Sequence, residues 1–135
     1  MNDQDIDHYL WRFVYTLSVA GGEIFICHAR IAILDGLSPK ENRTVPPLNY
    51  ERVYRLKEAY PDLEIVLNGG ISEIDHVEDV LGRVDGVMLG RQAYHPPYFL
   101  AELEHHINPP VPLPDRRNVV ERMLPYIKRE LDQGA

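Results

Sequence analysis

Apolar positions along this chain fall into two rhythms, one helical and one of short continuous runs. Over residues 5–19, Ile6, Tyr9, Leu10, Phe13, Val14 and Leu17 recur at helical spacing and make one apolar stripe. Gly21 and Gly22 end it. The run EIFIC is short, apolar and rich in β-branched and aromatic residues, and it predicts a buried strand over 23–27. The helical rhythm returns over 49–59, with Tyr50, Val53, Tyr54 and Leu56 inward and Pro61 beyond its end. EIVLN predicts a second strand over 64–68. Ser72 stands three residues before Asp75, a capping-box-like start for a helix over 73–82. DGVMLG predicts a third strand over 85–90, and a helical stretch over 97–106 follows.

Strands alternating with helices at this spacing predict parallel βα units, and strands apolar on both faces fit a sheet covered by helices. The segment INPPVPLP, residues 107–114, holds four of the eleven prolines and reads as a linker. After it, Asp115 caps a last helix whose stripe is Val119, Val120, Met123, Leu124, Ile127 and Leu131, and that stripe needs a partner surface. Three parallel strands cannot close a barrel, which takes eight strands and about 250 residues. As an open sheet they leave two long apolar edges. The expected fold is therefore α/β: the second half of a (β/α)8 TIM barrel, about three parallel strands with helices. The expected organisation is a barrel half over 1–107, a proline-rich linker over 108–114 and the start of a helical domain over 115–135.

Composition narrows the setting. A net charge of -7 argues against indiscriminate nucleic-acid binding, while leaving room for a local basic patch. The single cysteine, Cys27, allows no internal disulfide and fits a reducing cytoplasm. No run of about 18 apolar residues occurs, so no membrane span is expected. The opening MNDQDIDHYL is acidic and has no apolar core, so no signal peptide is expected.

The candidate chemistry lies at the strand ends, where parallel α/β folds bind ligands. The first strand ends in Cys27-His28-Ala29-Arg30, the second in Asn68-Gly69-Gly70 and the third in Gly90-Arg91. Glycines let a phosphate approach backbone N–H groups, and a following helix N-terminus favours negative charge. Arg91 adds a fork of donors suited to phosphate oxygens, and Asn68 offers both a donor and an acceptor. A glycine pair after a strand can also be a plain turn. In register on consecutive strand ends, the two glycine sites favour a phosphorylated cofactor. Cys27 falls inside the strand pattern and reads as a small core residue. Asp3, Asp5 and Asp7 read as a solvated helix start. No histidine pair has metal-ligand spacing with a third partner. The loop over 28–48 is long for a connection, and its Lys40 and Arg43 could meet an anionic substrate such as an RNA backbone.

These segments resemble one family closely. NDQDIDHYLWRFV, FICHARIAILDGLSPKENRTVPPLNYERVYRLK, LNGGIS and DGVMLGRQAYHPPYFLAE are similar to the tRNA-dihydrouridine synthases of the A subfamily, from Asp3 to Gly134. The resemblance implies an FMN enzyme on a (β/α)8 barrel, with NADPH as reductant, that reduces uridine 20 or 20a in the tRNA D-loop. By resemblance, His28, Asn68, Gly69, Gly70, Gly90 and Arg91 contact FMN, and Lys40 and Arg43 contact tRNA. RRNVVERMLPYIKRELDQG is similar to the start of the family's helical domain. The family's acid cysteine and its flavin-contacting lysine have no counterpart in this sequence, and Cys27 is no replacement. Ile31 and Ile33 stand where the family commonly has lysine and tryptophan. The expectation is that this chain alone has no catalytic residue of its own and no activity, and that its exposed sheet edges need a first barrel half. Two other readings are an inactive remnant or RNA-binding module, and a different barrel enzyme with a phosphate site on its last strands.

Overall fold

The computed structural model describes residues 3–134. The chain divides into two compact units, one ending at Gly90 and one beginning at Arg91. The first holds helix α1 (Asp3–Val19), strand β1 (Ile24–His28), helix α2 (Tyr50–Ala59), strand β2 (Glu64–Asn68), helix α3 (Ile74–Leu81) and strand β3 (Gly86–Met88). The three strands form one parallel sheet in the order β1-β2-β3. This is an α/β arrangement of successive βα units, as the alternation of periods predicts.

Register assigns the two faces. In a parallel pair, residues side by side point the same way. Phe25, Ile65, Cys27, Leu67 and Val87 therefore share one face. Ile65 and Leu67 are fully buried there, with Val53, Leu56, Val77 and Val80 of α2 and α3 completing the core. Ile24, Ile26, Val66 and Met88 share the opposite face with His28 and Asn68. That face is open: Ile24 and Ile26 are each 60% exposed and Met88 46%. Both faces are apolar in sequence, but among the described residues helices cover only one. Likewise β1 is no buried strand, because it lies at a sheet edge with one face open.

Other boundaries also move. His28 belongs to β1 rather than following it, because the ladder with β2 runs on to pair His28 with Asn68. β3 is three residues long, not six, since among the described residues it pairs with the last three residues of β2 alone. The capping box at Ser72 does not form: α3 starts at Ile74 with Glu73 as N-cap and no side-chain cap bond. Within the expected stripe of α1 only Val14 is buried, while Tyr9, Phe13 and Leu17 are exposed. α1 meets α2 through a charge clamp instead. Asp7 receives Arg52 Nε at 2.5 Å and Arg55 Nη2 at 2.6 Å, and Tyr60 Oη donates to the Trp11 carbonyl at 3.2 Å.

The starts of β2 and β3 are tied by a second charged group. Lys57 Nζ donates to the carbonyls of Pro61 (2.8 Å) and Leu63 (2.9 Å) and pairs with Asp85 Oδ2 at 2.8 Å. Asp85 Oδ2 also accepts from the Ile65 N–H at 2.8 Å. All three ammonium donors are used, so this lysine closes the base of the sheet.

The second unit contains helices α4 (Arg91–Tyr94), α5 (Phe99–Ile107) and α6 (Arg116–Asp132). Asp115 caps α6 by accepting from the Arg117 N–H at 3.0 Å, as the sequence predicts. The proline-rich segment before it has no regular structure. It is held by Tyr98 Oη donating to the Pro114 carbonyl (2.6 Å) and by the Arg116 guanidinium, 3.8 Å over the Tyr98 ring. The stripe of α6 is exposed at Val120, Met123, Leu124, Ile127 and Leu131.

Candidate functional site

The site grows from the carboxyl ends of β1 and β2. The Ala29 N–H donates to the Asn68 carbonyl at 2.8 Å, which extends the ladder one step past both strands. The Ala29 carbonyl then accepts from the Asn49 N–H at 2.8 Å. The loop between them must leave at Ala29 and return at Asn49, so its two ends are pinned beside the end of β2. Asn49 also caps α2, accepting the Arg52 N–H at 3.0 Å, so one residue ends the loop and starts the helix.

The loop has structure of its own. Asn42 bridges it, with Oδ1 accepting from the Ile33 N–H (2.7 Å) and Nδ2 donating to the Ile33 carbonyl (2.8 Å). Ser38 and Glu41 bond reciprocally: Glu41 Oε2 accepts from the Ser38 N–H and hydroxyl at 2.8 and 2.6 Å, and Ser38 Oγ accepts the Glu41 N–H at 3.3 Å. Those donors hold the Glu41 carboxyl below its usual range. A turn of 3-10 helix over Glu41–Arg43 results, with Lys40 as its N-cap. Arg30 clamps the returning limb through the carbonyls of Pro46 and Thr44. Lys40 and Arg43 are both exposed at this turn. Arg43 Nε is bonded to the Pro39 carbonyl at 3.1 Å, which leaves its terminal fork to reach outward. The sequence gives no hint of the Asn42 bridge, because a single asparagine in a polar loop reads as ordinary turn chemistry.

The glycine pair adopts a backbone that other residues avoid. Gly69 has φ +131° and Gly70 φ +68°. A Cβ on Gly69 would lie 2.9 Å from Leu48 Cδ2, and one on Gly70 2.6 Å from Leu48 Cδ1. Leu48, from the end of the loop, thus packs directly on the glycine backbone. Tyr50 Oη donates to the Gly69 carbonyl at 2.7 Å, and its ring meets His76 edge-on at 5.2 Å. Burial pushes the Tyr50 phenol up, so it stays a proton donor at neutral pH. Neither Leu48 nor Tyr50 stands out as a site residue in the sequence; both read there as ordinary apolar positions.

His28 and Asn68 are neighbours in register, on the open face of the sheet and at its carboxyl end. His28 is exposed and Asn68 half-buried. Asn68 Nδ2 donates to the Met88 carbonyl at 2.8 Å, so this side chain also ties β2 to β3. Gly70 is exposed, and nothing lies within 4 Å of a Cβ placed on Gly90. The ends of β1 and β2 therefore offer an imidazole, a carboxamide and bare backbone together. That donor set fits a flat polar ring carrying hydrogen-bonding edges. Arg91 is exposed and opens α4. With only four residues, α4 has little dipole to add, so the anion-binding capacity there is the guanidinium itself.

Cys27 lies on the opposite, helix-covered face, and burial pushes its thiol up. It faces away from His28 and Asn68, so it cannot give a proton to a group held beside them. Among the described residues no cluster of three or more His, Cys, Asp or Glu side chains could hold a metal, and no helix is long and apolar enough to cross a membrane.

Comparison with known proteins fits this arrangement. The family model for dihydrouridine synthase (Dus) matches residues 1–135. A tRNA-dihydrouridine(20/20a) synthase of Vibrio cholerae is 46% identical over 137 residues, covering all of this chain and 42% of the relative. The protein of that name from Pseudomonas syringae is 48% identical over 136 residues, covering all of this chain and 40% of the relative. That from Haemophilus ducreyi is 53% identical over 112 residues, 82% of this chain and 35% of the relative. The chain thus spans about two fifths of the length of the curated relatives it matches.

Proposed function

This chain belongs to the dihydrouridine synthase family, and we propose that it forms the cofactor-phosphate and RNA-facing part of a cytoplasmic enzyme that reduces uridine 20 or 20a of tRNA to 5,6-dihydrouridine. The observation that carries the reading is the pairing of His28 with Asn68 at the carboxyl end of an open sheet face, beside the Gly69-Gly70 backbone, in a chain similar throughout to synthases of that name. FMN, when bound and reduced by NADPH, supplies the hydride that the uracil ring accepts.

The residues of this chain bind and orient. His28 and Asn68 present hydrogen-bonding groups to the edge of the flavin, and Gly70, exposed beside the buried Gly69, offers backbone with no side chain of its own. Gly90 leaves room for close approach of the phosphate, and Arg91 carries the positive fork for it. Lys40 and Arg43 project from the braced loop toward the tRNA backbone, which positions the substrate without reading its sequence. The target base must leave its stack to meet a flavin, and a general acid must then protonate the neighbouring ring carbon. Cys27, on the opposite, helix-covered face of the sheet, does not serve as that acid. We therefore assign no catalytic residue to this chain and propose that the 135 residues alone are inactive. The part of a barrel that would cover Ile24, Ile26 and Met88 is proposed to bring the acid.

Deleting the coding sequence in its host and digesting the tRNA to nucleosides tests the function. Loss of dihydrouridine at positions 20 and 20a, mapped by mass spectrometry, is expected. Unchanged dihydrouridine at both positions would refute the reading.

A further inference from the structure

Leu48 and Tyr50 take part in no contact that the resemblance assigns to cofactor or RNA, yet both bear directly on the glycine pair. The two Leu48 methyl groups occupy the space a side chain would fill at Gly69 and Gly70, at 2.9 and 2.6 Å from the Cβ positions. The Tyr50 hydroxyl fixes the Gly69 carbonyl at 2.7 Å. Two successive glycines at positive φ have many other conformations open to them, because no side chain restricts either one. Something else must select one. The loop pinned by the Asn68–Ala29–Asn49 hydrogen-bond chain delivers Leu48 to that spot, and the first residue of α2 delivers Tyr50.

We infer that Leu48 and Tyr50 are positioning residues that hold the Asn68-Gly69-Gly70 turn in the one conformation that receives the cofactor. This inference rests on the reading that FMN binds at that turn. A glycine turn braced in advance loses less entropy when the ligand arrives, so the brace appears as affinity. Leu48 reaches the turn from the same loop that displays Lys40 and Arg43, so the brace and the RNA-facing cations move as parts of one segment.

The test uses the protein in its assembled, active form carrying Tyr50→Phe, Leu48→Ala or the conservative Leu48→Met. FMN is titrated by quenching of its fluorescence, and amide hydrogen exchange is followed at Gly69, Gly70 and, as a control, Ile65. Losing one half-buried hydrogen bond predicts a Kd for FMN about 5–10-fold higher in Tyr50→Phe. Faster exchange is expected at Gly69 and Gly70 but not at Ile65, with Leu48→Met near wild type on both measures. Unchanged exchange at both glycines in Tyr50→Phe and Leu48→Ala overturns the inference. So does altered exchange with an unchanged FMN Kd. A wild-type assembly that fails to quench FMN counts against the cofactor reading, and in that case the exchange data alone decide the brace.

Discussion

Replacing Gly69 by alanine separates two physical reasons for a glycine. At φ +131° an L side chain meets its own backbone, a strain of about 1–3 kcal/mol. The new methyl also stands 2.9 Å from Leu48 Cδ2, the free end of a side chain that can swing aside at about 0.5–1.5 kcal/mol for an off-rotamer position. His28 Cε1 at 3.5 Å and the Ala29 nitrogen at 3.6 Å are ordinary contacts and add nothing. Together Gly69→Ala should destabilise the chain by about 2–4 kcal/mol, a large share of the ~5–15 kcal/mol typical of a domain. Urea denaturation followed by circular dichroism reads this as a midpoint about 1–2 M lower with an unchanged slope. The double variant Leu48→Ala/Gly69→Ala divides the cost. Removing the leucine methyls should recover only the smaller, steric part, about 0.5–1.5 kcal/mol. A single variant with a wild-type midpoint would refute the argument. A double variant showing no Gly69 penalty at all would show that packing, not the backbone, demands the glycine.

Three further outcomes are expected. Hydrogen bonds from Lys57 and from the Ile65 N–H hold the Asp85 carboxyl below its usual range, and at Asp7 burial is outweighed by the hydrogen bonds from Arg52 and Arg55, so both folded pKa values are depressed. Their stabilisation is present above the unfolded value of about 4 and is lost as pH falls through the folded values, so stability should drop on acidification and Asp85→Asn should flatten that limb in pH-dependent urea melts. The raised pKa and half-buried setting of Cys27 predict slow reaction with a disulfide reagent at pH 8 in the folded chain and fast reaction in denaturant; equal rates would contradict its placement. Lys40→Ala and Arg43→Ala should each weaken tRNA binding at all sequences and lower the log–log salt slope by about 1, measured by filter binding with the protein in its assembled, active form.

Much of this was legible in the sequence because period and punctuation survive without tertiary context. The EIVLN strand was found at its observed bounds, since β2 is the central strand and its burial comes from both neighbours. Of the inward set of α2, Val53, Tyr54 and Leu56 are buried because the helix lies against that strand, while Tyr50 is half-buried. Ile24 and Ile26 misled for the opposite reason: hydrophobicity says a residue belongs against something, not that the something is present in this chain. Ser72 carried the capping signature, but the helix begins at Ile74 with Glu73 as its N-cap, one residue beyond the position the signature marks. At the site, His28, Asn68 and the glycines were visible as residue types at strand ends. Leu48, Tyr50 and Asn42 were not, because their roles depend on contacts across 21, 19 and 9 positions that no local pattern records.

The two ends of the sheet are fastened by different forces. At the base, Lys57 and Asp85 form an ion pair. At the mouth, the fastenings are neutral: the Tyr50 hydroxyl on a carbonyl, the Ala29–Asn68 backbone bond, the Asn68 carboxamide on Met88 and the methyls of Leu48. Counterions weaken contacts between exposed charges and leave neutral hydrogen bonds and methyl packing nearly untouched. On the proposed reading, a change of ionic strength would alter the contact of Lys40 and Arg43 with a polyanion while the glycine turn behind them kept its shape. On that reading, affinity for the large partner and the seat for the small molecule are separately adjustable, one by the medium and the other only by mutation.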